Sequence, residues 1–444
     1  LDEAVENLLD ADSIVYLRRS DSRLKLKETS GVRIDEAISN EVELLKARTT
    51  VEDILNRYQN GRALYPSRHN HEKKITRYFD CYFMDAQEIV DRLSSGASFD
   101  FTGDGAVVAV LPSDEASLRS VNEALKASKA KSSTIVFSVP KVLDDIAEVA
   151  FGYEATLALR DRAGNDEVLR DEYGIVAEDY SEILSRFVAK YYWPEKGGAT
   201  YYYNGHRKNG INHRKKLSSL LSEVCDQVYS KTPIINNEVI NKNEPTGIAL
   251  TSRAKILTAI CSKSLEPSLG FVGNGQETSI ARSVLGVTGI IDDLDSNPVV
   301  NIDHKNPKVG AAIAVIEDYL TNSEGATFDD LYARLTSPSF GIGAKRGPIP
   351  ILLAVVLREY RDVVCLMRGE DEAPLDKKTL EDIEASPQSY SISLIDWDDE
   401  KAAYVSEVGS LFGGGIGSPS KTQVVELART WFFSLPQFTR LSKI

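Results

Sequence analysis

The sequence predicts a helix-rich α+β protein of several domains, combining winged-helix-type modules with one small α/β layer domain. Three observations carry this. Between residues 62 and 150, runs rich in valine, tyrosine and phenylalanine alternate with helical segments. Long stretches outside that region carry the three- and four-residue apolar spacing of helices. At residues 1–30 and 309–395, helices lie directly beside short strand-like runs.

Taken in order, LDEAVENLLDADS places Leu1, Val5, Leu8 and Leu9 on one helical face. IVYLRR and RLKLKE, joined by SDS, read as a basic β-hairpin. A helix followed by such a hairpin reads as the back half of a winged helix, or equally as any helix-plus-hairpin. A mostly polar connector helix is expected from Ile34 to Tyr58, which closes a first domain at 1–60. The α/β domain, 61–150, has strands in ITRYFDCYFMD, AVVAVLP and TIVFSVP, with helices AQEIVDRLSS and EASLRSVNEALKAS between them. That alternation implies strands that are at least partly parallel. Pro112 and Pro140 lie just past two strand ends, where parallel sheets bind ligands. The loops there, PSDE and PKVLDD, contain no glycine-rich phosphate cradle, so no nucleotide is expected.

One or two long helices should fill 141–194. Within a helical domain at 151–308, the organising stretch is Leu217 to Leu257. Leu217, Leu220, Leu221, Val224 and Val228 form one face of a helix that Thr232-Pro233 breaks. A short segment follows, and after Pro245 a second helix carries Ile248, Ala249, Ala254, Ile256 and Leu257. This is the rhythm of a helix-turn-helix core, though plain helical domains share it. In 309–395, two helices, a strongly apolar helix KRGPIPILLAVVLREYRD, a strand VVCLMRG and a closing helix and strand read as a second winged-helix-like module. Residues 396–444 read as helices around a LFGGGIGSPS linker.

Composition narrows the functional classes. The chain has 444 residues, 42% hydrophobic and 27% charged, enough for about two to four domains. A formal net charge of −14 argues against a surface that grips nucleic acid all over, but leaves room for one basic patch. No apolar run is long enough to span a bilayer. The four cysteines, Cys81, Cys225, Cys261 and Cys365, show no CxxC spacing, which excludes a structural zinc and favours the reducing cytoplasm. The chain starts at Leu1 without a signal-peptide pattern, so a piece of something longer is expected.

The candidate binding segment is TYYYNGHRKNGINHRKK, residues 200–216. Arg207, Lys208, Arg214, Lys215 and Lys216 could neutralise phosphates, and Tyr202 among its neighbours could stack a base. The competing reading, a solvated loop, carries more weight on so acidic a chain. Gly415 to Thr422 has the length of a P-loop, but Ser420 stands where the second glycine should be and no strand precedes it. His69 and His71 have metal-like spacing without a third ligand, so exposed loop histidines are expected. Asp292, Asp293, Asp295 and Asp303 with His304 match no EF-hand and read as a solvated loop. No catalytic residues and no metal site are assigned.

The order of segments says more than any one motif. RYFDCYFMD, AVVAVLP, TIVFSVPK and the 217–257 stretch, then SLGFVGNGQETSIARSVLGVTGI, TSPSFGIGAKRGPIPILLAVVLREYRDVV and WFFSLPQFTR, resemble the C-terminal half of large bacterial P-loop ATPases. These are of the anti-phage defence type, including BREX-like ATPases. The likeness spans most of the chain and is strongest over 217–290 and 337–365.

The resemblance implies that the ATPase domain, with its ATP and Mg, lies N-terminal to this chain, which itself holds no cofactor. It implies that the leading helix and hairpin are the tail of a winged helix, and that the family continues past Ile444. It also implies a function, the relay of ATPase state to other defence-system proteins or to DNA, with homo-oligomers formed through the parent ATPase and no membrane contact. The alternatives are a self-contained winged-helix nucleic-acid-binding regulator, or an enzyme with an unrecognised site in the α/β domain.

Overall fold

The computed structural model describes residues 14–18, 23–26, 33–59, 62–128, 133–361, 363–394, 399–412, 421–436 and 439–440. It is a mixed α/β, helix-rich chain that divides into two compact units. The first comprises residues 1–69 and 77–225, the second 70–76 and 226–444. The helix expected over 1–13 lies outside the described residues. The hairpin after it is present: β1 (Ile14–Arg18) pairs antiparallel with β2 (Arg23–Leu26), with an irregularity between Tyr16 and Arg18.

The expected single connector helix is two helices, α1 (Ile34–Lys46) and α2 (Val51–Tyr58). The break has a local cause. Thr50 Oγ1 accepts from the Asp53 amide at 3.1 Å, and the Asp53 carboxylate accepts from the Thr50 amide at 3.1 Å. This reciprocal capping box starts a new helix at Val51.

The first unit is built on a six-stranded mixed sheet in which spatial order equals chain order. β3 (Ala63–Leu64) is antiparallel to β4 (Phe79–Asp85), which runs parallel to β5 (Gly105–Leu111) and β6 (Ile135–Pro140). The three parallel strands and their crossover helices, α4 (Ala86–Ser95) and α5 (Glu115–Ala127), fall where the sequence places them. The sheet then runs past residue 150. β7 (Ala199–Tyr203) pairs antiparallel with β6, and β8 (His206–Lys208) with β7. Met84, Ile89, Val108, Val110, Val121 and Phe137 pack between one face of the sheet and the crossover helices. Phe83, on the opposite face, meets the Tyr192 ring edge-on at 5.0 Å. Because both faces are covered, β5 is buried along almost its whole length, which is why it reads as an unbroken apolar run.

Two long helices, α6 (Ala147–Arg162) and α7 (Glu167–Tyr191), follow β6 as expected. Helix α3 (Ser67–Lys73), between β3 and β4, holds both candidate histidines, and here the expectation fails. His71 is exposed, but His69 is fully buried, and both are helical rather than in a loop.

The organising stretch contains helices α8 (Arg214–Val228) and α9 (Gly247–Ile260), but no short helix between them. Residues 234–237 are irregular and 238–244 are turns and bends instead. Asn237 Oδ1 accepts from the amides of Val239 and Ile240, and Asn241 Nδ2 donates to the carbonyls of Ile235 and Lys74, each at 3.0 Å. Side-chain amides compete in this way with helical backbone bonds.

In the second unit, α11 (Gly310–Asn322), α12 (Phe328–Thr336) and α13 (Ile349–Tyr360) surround one core, after the six-residue α10 (Gln276–Ala281). Every residue of α13 from Ile349 to Leu357 is buried. After the short antiparallel pair β9 (Ile291–Asp292) and β10 (Val299–Val300), β11 (Val364–Arg368) pairs with β12 (Asp371–Ala373), a strand the sequence reading lacked, and with β13 (Ser391–Leu394) after helix α14 (Lys377–Ala385). Arg253 on α9 and Glu384 on α14 form a buried bidentate ion pair. The expected terminal helices are α15 (Asp399–Leu411) and α16 (Lys421–Ser434). Among the described residues no helix is long and apolar enough to cross a membrane.

Candidate functional site

The basic segment 200–216 is a hairpin followed by a helix start. Asn204 and Gly205 both have positive φ, 49° and 74°, and join β7 to β8 in a two-residue turn. The Asn-Gly pair in YYYNGHRK was the available signal. A side chain at Gly205 would also put a Cβ 2.6 Å from the Ser128 carbonyl.

Tyr202 corrects the expected stacking role. Strand alternation would turn one face of a half-covered strand outward, but Tyr201, Tyr202 and Tyr203 are all buried. Their hydroxyls donate to the Tyr192 carbonyl at 2.8 Å, Asn122 Oδ1 at 2.9 Å and the Ser133 carbonyl at 3.2 Å. No tyrosine face is left for a base.

The cations fare differently. Arg207 is exposed on the outermost strand, and Lys208 is half-buried with Nζ 5.5 Å from the Tyr203 ring. Arg214, Lys215 and Lys216 are exposed on the first turn of α8, where Arg214 pairs with Glu195 at 2.5 Å. No acidic residue offsets them in that turn, although the helix dipole favours one there. Such a turn is relieved by an incoming anion.

A second feature lies at the carboxyl ends of the parallel strands, where Pro112 and Pro140 were noted. A cavity of about 590 Å³ opens there within the first unit. Asp85 ends β4, Leu111 to Ser113 follow β5, and Pro140 ends β6. Thr50 to Glu52 at the start of α2, the 142–147 segment opening α6, and Phe187, Tyr191 and Tyr192 complete the walls. Sequence reasoning marked only the two prolines. The TVED capping box at Thr50 was a readable sign of a helix start, but not of what it would face.

Side chains cap the starts of α2, α4 and α5 beside this cavity, and at the start of α6 the Ala147 amide is taken. Asp85 Oδ1 accepts from Gln87 and Glu88, and Asp145 Oδ1 accepts from Ala147. Asp114 caps α5 beside Ser113. A phosphate would find amides engaged and carboxylates facing it, in agreement with the missing glycine cradle.

Glu52 is the unusual group here. Burial pushes its carboxyl above the ordinary range, and neighbouring Glu88, Asp53 and Asp85 add to this, against the pull of the Asp85 amide at 3.0 Å. Folded Glu52 therefore holds its proton to higher pH than the unfolded chain does. Its contribution to stability is complete below the ordinary value of 4.5 and is lost as pH rises through the raised one. Glu52→Gln keeps an acceptor for the Asp85 amide. It is expected to raise the melting temperature at neutral pH and to leave it unchanged well below the ordinary value, as scanning calorimetry at the two pH values will show.

The other chemical candidates are occupied otherwise. Burial raises the Cys81 thiol to about 12 and the Cys261 thiol to about 11, away from nucleophilic use. Asp292 bonds Asn301, Asp295 bonds Ser268, Asp303 caps Lys305, and His304 lies against Glu317. Among the described residues no group of three or more His, Cys, Asp or Glu is placed to hold a metal. Residues 415–420 of the P-loop-like motif lie outside the described residues. Compared with protein-family models, curated proteins and solved structures, the chain matches none.

Proposed function

We propose that this chain is a non-catalytic region of a large P-loop ATPase of the phage-defence type, relaying ATPase state to partner proteins or to nucleic acid. The observation that carries the reading is the ordered series of segments resembling that family, from RYFDCYFMD to WFFSLPQFTR. ATP and Mg belong to the preceding ATPase domain of such a protein, and oligomerisation would run through it. The connectivity of the units supports a relay: the chain passes from one to the other three times, at 69/70, 76/77 and 225/226. Exposed Arg207, Lys215 and Lys216 supply the contact for a polyanion.

A second reading, a self-contained winged-helix nucleic-acid-binding regulator, is favoured by one feature of the 309–395 module. Three helices lead into the tight β11–β12 hairpin, and Thr327, just before α12, bridges to Ser391 of β13. That order supports a winged-helix reading in which one helix and one strand are additions.

ATP turnover separates the relay reading from a catalytic one. The chain alone is expected to hydrolyse no ATP above background. Joined to the region encoded upstream, which should carry GxxxxGK[ST] after a strand, it should be part of an active ATPase. Turnover by the chain alone that vanishes in Lys421→Ala would overturn the proposal.

A further inference from the structure

The cavity at the strand ends has a chemistry that the relay reading does not use, and the inference stands on the first unit alone. Four carboxylates line it, Glu52, Asp85, Asp144 and Asp145, and none of its lining residues is Lys, Arg or His. Each carboxylate is anchored by one oxygen. Glu52 Oε2 takes the Asp85 amide and Asp85 Oδ1 takes two amides of α4. Asp144 Oδ2 takes the Tyr191 hydroxyl at 2.5 Å, and Asp145 Oδ1 takes the Ala147 amide at 2.9 Å. The second oxygen of each has no hydrogen-bond partner among the described residues. Among the described residues, the one charge compensation within 4 Å is Lys190 Nζ, 3.9 Å from Asp144. Four acceptors are thus held in place with half their capacity open, in a space whose remaining walls are aromatic and aliphatic apart from Thr50 and Ser113.

We propose that this cavity binds an organic cation: an ammonium or guanidinium group on an apolar stem, carried by a free polyamine or by a Lys- or Arg-bearing segment of a partner protein. Volume decides against a small occupant, since about 590 Å³ lies within the range of cavities that enclose whole organic ligands. The carboxylates are spread around the walls and form no metal-ligating group of three. An elongated cation can reach several of them in turn, whereas a single ion cannot. Phosphate and carboxylate ligands are excluded by like charge and by the capped amides. Phe187 and Tyr191 offer apolar and ring surface to the stem, and aromatic faces favour a cation as well. The raised Glu52 carboxyl agrees with a site that lacks its counter-charge until a ligand brings one.

Isothermal titration calorimetry on the chain tests this with three probes: spermidine, Nα-acetylarginine amide and a short peptide bearing Arg and Lys. A peptide with citrulline and norleucine in their place is the uncharged control. One saturable site is expected for a cationic probe and none for the control, with binding that weakens as salt rises. Glu52→Gln/Asp144→Asn keeps the acceptors for the Asp85 amide and the Tyr191 hydroxyl, and should weaken binding by about tenfold or more. If that double variant does not fold, Asp145→Asn, at the exposed rim, should weaken binding in the same direction. Binding of the free amines without the peptide assigns a small-molecule ligand, and binding of the peptide alone assigns a protein segment. Absence of binding by every cationic probe, or equal affinity in a folded neutralised variant, overturns the proposal. None of these residues enters the ATP test above, so the two readings fail separately.

Discussion

Arg253→Ala is expected to cost about 3–5 kcal/mol of stability, the usual loss when one partner of a buried ion pair is removed. Arg253 is only 3% exposed, and its guanidinium does two things at once. Nη1 donates to the Gly347 carbonyl at 3.0 Å and to Glu384 Oε1 at 2.8 Å, while Nη2 donates to Glu384 Oε2. Truncation leaves a mostly buried carboxylate without its counter-charge and a carbonyl without its donor. The Arg346 bond to the Glu384 carbonyl, 3.0 Å, does not touch the carboxylate and cannot compensate. Because the penalty comes from the stranded charge, removing both partners should cost less than removing one. Arg253→Met/Glu384→Leu should therefore recover much of what Arg253→Met loses. Urea unfolding of the three proteins measures this, and a double variant no more stable than the single one would refute the stranded-charge account.

Leu353→Ala should cost about 2–5 kcal/mol, the transfer and cavity loss of a buried leucine. Helix α13 gives no room for a smaller estimate, because all nine residues from Ile349 to Leu357 are buried and its core is shared with α9, α11 and α12. A helix covered on every side cannot shift towards a new void without opening another. The readout is a lower urea midpoint at unchanged slope. An unmoved midpoint would mean that this helix is not at the centre of the second unit.

Much of the α/β layer was legible because its signals are local. GAVVAVL is apolar throughout and IVFSVP is interrupted only by Ser138, since both faces of their strands are covered, and the crossover helices of the sheet carry their own N-caps, Asp85 and Asp114. The missed features were of two kinds. Some had a written sign that went unread: the Thr50–Asp53 capping box that splits the connector helix, and the Asn204-Gly205 turn that makes residues 199–208 a hairpin. Others have no local sign at all. Tyr202 is buried because α4 and α5 cover its face of the sheet, and no pattern within YYYNG says so. The cavity draws on five separate stretches between Thr50 and Tyr192, so only the fold reveals that Glu52, Asp85 and Asp144 share one space. The basic segment was visible as charge. Its division between an edge strand and a helix start was not.

The sequential order of the six strands also bears on how the first unit forms. Each new strand joins the one made just before it, so the sheet can grow outward from β3 without inserting a late strand between two early ones. Closing short loops first keeps the entropy cost of each step small. The one long interval is between β6 and β7, occupied by α6 and α7. During synthesis the edge of β6 therefore waits, unpaired, until some sixty further residues have emerged. A nascent chain halted in that interval would expose Phe137 and Val139 on an open sheet edge, and this is the stage at which a chaperone has most to protect.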